Sequence, residues 1–131
     1  MSTEATEKTL QADLIQFTGT SGYYRWSALY PNMVLTDGAR YLAEKAGAYW
    51  LMDAIASHIV YGGNRKRMRE EGFVVAKMKV NGRSARLTLD DGNGNVLARQ
   101  RIGYTDFPKP GIELYAEYGD GRWVILLPSE H

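Results

Sequence analysis

Three polar residues interrupt the apolar run at 46–59: Asp53, Ser57 and His58. An acid, a hydroxyl and an imidazole are the parts of a hydrolytic triad, whose members must converge through hydrogen bonds. On a helix, Asp53 and Ser57 share a face, while His58 points about 100–140° away from both. The three therefore diverge. Asp53 reads instead as the partner of a neighbouring loop, for example of a hydroxyl on Tyr23, Tyr24 or Tyr30, because a charge among apolar residues persists by pairing. Asp91, Asn93 and Asn95 have the alternate spacing that opens a calcium loop. Val96 stands where that loop needs its glycine and Ile102 where it needs its closing acid, so a hairpin turn is the reading. Without cysteine, and with only His58 and His131 as imidazoles, the chain has no thiolate zinc site, disulfide or cysteine nucleophile. No catalytic residue, metal or cofactor is expected. Asp53, Asp106 and Glu130 would act as acid or base only if they converged in one pocket.

Residue types suited to binding are more concentrated. Tyr23-Tyr24-Arg25-Trp26 brings together the types that dominate interface hot spots, since they bury large areas and keep a polar handle. The same rings would equally cap one end of the core. Arg65, Lys66, Arg67 and Arg69 form a basic connector, an electrostatic flank for the aromatic segment, with Glu70 and Glu71 directly behind it. A second surface follows from strand alternation. The outward positions would carry Lys77, Lys79, Arg86, Arg99 and Arg101, with Tyr115 as a ring on which a base could stack. Glu113 and Glu117 would lie toward the later strands and offset that charge by cross-strand pairing. Overall, 16 basic residues stand against 15 acidic ones, so no global field demands nucleic acid or a membrane.

These residues need a frame. Leu10, Leu14 and Phe17 recur at helical spacing within 6–17, and Gly19 supplies a stop. Thr36-Asp37 is a helix start, since either side chain accepts from free amides and Asp37 complements the dipole. From Ala39 to Ile59 the pattern is helical and apolar around nearly the whole circumference from Ala46 onward. Such a helix needs cover on more than one side, from a sheet plus the aromatic segment, or from a second copy of the chain. Five strands follow, at 73–80, 85–89, 96–104, 112–118 and 123–127. Short turns join them, including Asn81-Gly82 and the run 90–95, and short connections make sequential strands antiparallel neighbours. The expectation is one α+β domain spanning 1–131: a long apolar helix, with a short N-terminal helix, packed on a five-stranded antiparallel β-meander. Residues 1–9 read as a poorly ordered tail. No segment has the layout of a signal peptide or the length of a membrane span, so a cytoplasmic protein is expected.

Several stretches together resemble a family of small bacterial, plasmid- and phage-borne proteins of unknown function. They are Leu14-Ile15-Gln16-Phe17-Thr18-Gly19-Thr20, Tyr23-Tyr24-Arg25, Thr36-Asp37-Gly38 with Tyr41-Leu42-Ala43, and Ala46-Gly47-Ala48-Tyr49-Trp50-Leu51. Tyr104-Thr105-Asp106-Phe107-Pro108 and Leu127-Pro128-Ser129-Glu130 complete the set. The resemblance implies a setting rather than an activity, one of binding modules that act on host or element machinery, including inhibitors of host defence complexes. With no catalytic signature and an aromatic-plus-basic surface, the expectation is a non-enzymatic binding module that engages a protein or nucleoprotein complex of the host. Nucleic-acid binding by the outer face of the sheet is the alternative, and a homodimer is compatible with either.

Overall fold

The computed structural model describes Leu10 and residues 12–131. The expected tail at 1–9 and the first part of the N-terminal helix lie outside the described residues; Leu10 and residues 12–14 are helical. The chain then forms β1 (Tyr23–Tyr24), β2 (Met33–Thr36), α1 (Asp37–Lys45), α2 (Tyr49–Tyr61) and α3 (Arg65–Glu71). Strands β3 (Phe73–Asn81), β4 (Ser84–Asp90), β5 (Val96–Ile102), β6 (Gly111–Gly119) and β7 (Arg122–Leu126) follow, and a 3-10 turn at Pro128–Glu130 closes the described chain.

Two expectations are overturned. The long helix is two helices. Gly47, at φ +60°, ends α1 in a Schellman motif: the Ala48 amide donates to the Ala43 carbonyl at 2.7 Å and the Gly47 amide to the Glu44 carbonyl at 3.4 Å. Only glycine takes that left-handed conformation without a Cβ penalty, so the apolar pattern continues while the helix axis does not. Once broken, α2 buries one stripe, Leu51, Met52, Ile55, Ala56 and Ile59. Its flanks are partly covered within the chain: Tyr49, Trp50, Ala54 and Val60 are half-buried against the core, and Trp26 of the aromatic segment packs there too.

Nor is the sheet a five-stranded meander. It has seven strands in the order β1-β2-β7-β6-β3-β4-β5. The five expected strands exist, but β6 crosses to the far side of β3 instead of following β5, leaving β5 as an edge. Strand β2 then joins β7 in parallel, Met33 opposite Trp123 and Leu35 opposite Ile125, which makes the sheet mixed. Short connections justify hairpins β3–β4 and β6–β7, but the longer run after Ile102 permits the crossover. In the first hairpin Asn81 pairs with Ser84, so Gly82 and Arg83 form the turn.

Alternation assigns the faces as expected over most of the sheet. Val74, Ala76, Met78, Ala85, Leu87, Leu89, Leu114, Ala116, Trp123 and Ile125 are buried under the helices. A register shift at Leu89/Asp90 breaks the pattern in β5, so that Leu97 is buried and Val96 is exposed.

The first turn of α1 holds the frame together. Thr36 Oγ1 accepts from the Ala39 amide at 3.2 Å and donates to Glu130 at 2.6 Å. The same Glu130 carboxylate accepts from the Gly38 amide and the Leu127 amide, each at 3.0 Å. A Cβ built on Gly38 would meet Glu130 Oε1 at 2.5 Å and Leu127 Cδ1 at 2.6 Å. Gly38→Ala should therefore cost about 1–3 kcal/mol by urea denaturation, the usual penalty of forcing atoms into a filled space. Gly19→Ala, where a Cβ meets nothing within 4 Å, should stay within roughly 0.5 kcal/mol of the parent.

Candidate functional site

The aromatic segment is divided between support and surface. Asp37 Oδ2 accepts from the Ser21 amide and hydroxyl, and Oδ1 from the Tyr24 hydroxyl at 2.8 Å. The Ser21 amide, then the Tyr24 and Ser21 hydroxyls, favour the charged form and hold the Asp37 carboxyl at about 2, below its ordinary 3.8. The Arg40 guanidinium lies over the Tyr24 ring, 4.3 Å from its centroid, and pairs with Glu44. Trp26 donates its indole N–H to Asp53 at 2.8 Å and stacks on Tyr30. Asp53 thus bonds the aromatic loop as expected, through an indole rather than a hydroxyl, and from an exposed rather than a buried position. Tyr24, Arg25, Trp26, Arg40, Tyr49 and Asp53 border a cleft of about 420 Å³. Tyr23 is half exposed, with Arg122 over its ring.

The basic connector is a helix, not a flexible loop, and its charges are largely engaged. Arg65 donates to the Gly62 carbonyl, Lys66 lies 4.0 Å from Glu70, and Arg67 pairs with Glu71 and Asp91. Arg69 sits over the Tyr118 ring. Lys66 and Arg67 stand four residues before Glu70 and Glu71, so this pairing is readable in the sequence only once helix is chosen over loop.

On the open face of the sheet the opposite holds. Lys79, Arg86 and Arg101 stand directly opposite one another across β3, β4 and β5. Two residues along, Lys77, Thr88 and Arg99 form a second row. Like charges in direct cross-strand register repel. Lys77 is relieved by Asp90, 3.8 Å away. Among the described residues, no carboxylate lies within 4.0 Å of Lys79, Arg86, Arg99 or Arg101. Glu113 is opposite Lys77 in register but makes no ion pair with it, so the expected cross-strand compensation is missing from this half. Lys77, Lys79, Arg86 and Arg101, with Ser84 and Thr88, line a broad groove of about 920 Å³.

Tyr115 is not available as its stacking ring. Phe73 and His131 meet it edge-on, at centroid distances of 5.1 and 5.4 Å, and His131 pairs with Glu117 at 2.8 Å. Sequence reading missed Arg83 and Tyr104, both exposed and both beside this face: the Thr105 amide donates to the Arg83 carbonyl at 2.7 Å, which draws the segment after β5 onto the β3–β4 turn.

The carboxylates proposed for acid–base work do not meet. Asp53 is on Trp26, Glu130 is on Thr36 and Gly38, and Asp106 is exposed in the loop before β6. Ser57 donates to the Ala54 carbonyl and His58 bonds Gln100, so the helical trio diverges. Asp91 accepts from the Asn95 side chain and the Asn93 and Asn95 amides, which together hold its carboxyl below its ordinary value and close the turn on itself. No helix among the described residues is long and apolar enough to cross a membrane.

A carboxylate whose folded value is depressed stabilises the fold above its unfolded value and loses that contribution on protonation. The parent should accordingly be more stable than Asp37→Asn at neutral pH. The gap should narrow as pH falls from about 4 towards 2, as followed by thermal melts across that range.

Comparison with solved structures finds a crystal structure of a protein of unknown function from Enterococcus faecalis with a TM-score of 0.56 at 15% identity, covering 84% of this chain and 98% of that one. That likeness establishes a shared fold. No curated protein matches. At the level of sequence, residues 8–131 match the family of unknown function DUF6876, and the chain belongs to that family.

Proposed function

We propose that the chain is a non-catalytic binding module whose working surface is the open face of the sheet, and that its ligand is nucleic acid. The observation that carries this reading is the row Lys79–Arg86–Arg101: three cations in register with no carboxylate within 4.0 Å among the described residues. Such a row costs stability in the free protein, and a phosphate backbone supplies the missing counter-charge. A β-sheet face also gives cations fixed spacings, about 4.8 Å between strands and about 6.7 Å between successive same-face residues. The proposed setting is the bacterial cytoplasm, in a chain carried by a plasmid or phage; the sequence resemblance alone supports that part.

Binding to labelled oligonucleotides should fall linearly with the logarithm of salt concentration. Replacing Arg86 and Arg101 by Gln should lower the slope by roughly 1.4–1.8, the loss of two phosphate contacts at 0.7–0.9 each. A flat titration at low salt against both single-stranded and duplex oligonucleotides would remove this reading.

A protein or nucleoprotein partner at the aromatic side is the second reading. What favours it is exposure of large apolar side chains near Trp26, with Tyr23 at 50%, Leu29 at 72% and Tyr61 at 68%. Under that reading, Leu29→Ala with Tyr61→Ala abolishes capture of a host protein that the Arg86/Arg101 variant still captures. Capture that survives the double alanine variant argues against it.

A further inference from the structure

We propose that the groove selects single strands over duplex, with an unstacked base lying on Tyr104 while the phosphates run over Lys79, Arg86 and Arg101. This inference rests on the nucleic-acid reading above and adds the form of the ligand. Tyr104 is 71% exposed, although a tyrosine ring gains by burial. Its exposure is built in. On one side the chain has just left β5, where Ile102 pairs with Ala85. On the other, the buried Thr105 donates its amide to Arg83 and accepts from the Phe107 amide at 3.0 Å, and Phe107 is itself buried. The ring therefore projects from a segment anchored at both ends, beside the β3–β4 turn that carries Arg83. Arg83 is exposed and has no carboxylate within reach among the described residues.

Charge alone does not distinguish strand number, because both forms present phosphates. An exposed ring does. The bases of a duplex are stacked on each other, whereas a single strand has π-faces free to stack on an aromatic side chain at little deformation cost. The groove's lining runs from β3 across β4 to Arg101 of β5, three residues before Tyr104, and the Thr105 amide holds the segment that follows on Arg83 at the adjoining turn, so a strand laid along the cations is led towards the ring.

The experiment compares a labelled oligothymidylate of about fifteen nucleotides with a duplex of equal length, at one low salt concentration, by fluorescence anisotropy. The parent should bind the single strand more tightly. Tyr104→Ala should weaken the single strand by about tenfold, within the range for loss of one stacked base, and leave the duplex and the salt slope unchanged. Tyr104→Phe should restore the parent affinity, since the ring and not the hydroxyl is used. The unfolding midpoint of each variant checks that the exposed substitution leaves the fold intact. Unchanged single-strand affinity in Tyr104→Ala, or a parent that prefers duplex, overturns this inference while the groove reading stands if Arg86→Gln with Arg101→Gln still weakens binding. If neither oligonucleotide binds the parent, both readings fall together.

Discussion

The first turn of α1 exposes amides that no carbonyl inside the helix can satisfy, and they are answered from both directions along the chain. From upstream come Thr20, which accepts from the Asp37 amide, and Ser21 and Tyr24, which donate to the Asp37 carboxylate. From downstream comes Glu130, which accepts from Gly38 and Thr36. The helix dipole favours negative charge here, so two carboxylates at one helix start are both well placed. Other placements follow from this knot. It fixes β2, which leads into α1, against β7, which leads into the turn carrying Glu130. It also fixes the course of the aromatic loop, and so the cleft in front of Trp26.

Four of the stretches that carry the sequence resemblance take on a physical meaning in that light. Thr18-Gly19-Thr20, Tyr23-Tyr24-Arg25, Thr36-Asp37-Gly38 and Leu127-Pro128-Ser129-Glu130 are far apart in sequence, yet each contributes to the same helix start or adjoins a residue that does. Their distinctiveness is that of a closure. It says little about a ligand, and the surface best suited to one lies elsewhere.

Much of the frame was legible because it is local. Thr36 announces a cap by its side chain, the strands by their alternation, and the hairpin at Gly82 by its composition. What misled was continuity of pattern. Apolar residues run straight through Gly47, so hydrophobic periodicity reports one helix where the left-handed glycine makes two. The order of the strands was not legible, because alternation says which face a residue occupies and nothing about which neighbour it has. The basic sheet face could be read residue by residue, yet its lack of compensation could not, since that depends on β6 standing beside β3 with Glu113 opposite Lys77 but making no ion pair with it. Arg83 sits in a turn and carried no periodic signal, and Tyr104 ends a predicted strand that in fact stops at Ile102. Meanwhile the near cancellation of 16 basic and 15 acidic residues conceals a segregation: Lys66 and Arg67 of α3 pair with its own acids, whereas Lys79, Arg86, Arg99 and Arg101 on the open sheet have no carboxylate within 4.0 Å among the described residues.

The parallel pairing of β2 with β7 also dictates an order of events. Strands β3, β4 and β5 are consecutive and can zip from a tight turn as soon as they exist. Strand β2 has only the two-residue β1 on its near side, and its other edge is met late: Thr36 finds the Ile125 carbonyl 89 residues later, and the Trp123 amide reaches back to Asn32. Closing so long a loop is entropically slow, and it rewards the chain only when complete. During synthesis, the early segment therefore waits with its helix start answered only from upstream, while the later hairpins form and then receive it. Glu130 and the first turn of α1 are thus the last to come together, acting as a latch between early and late segments.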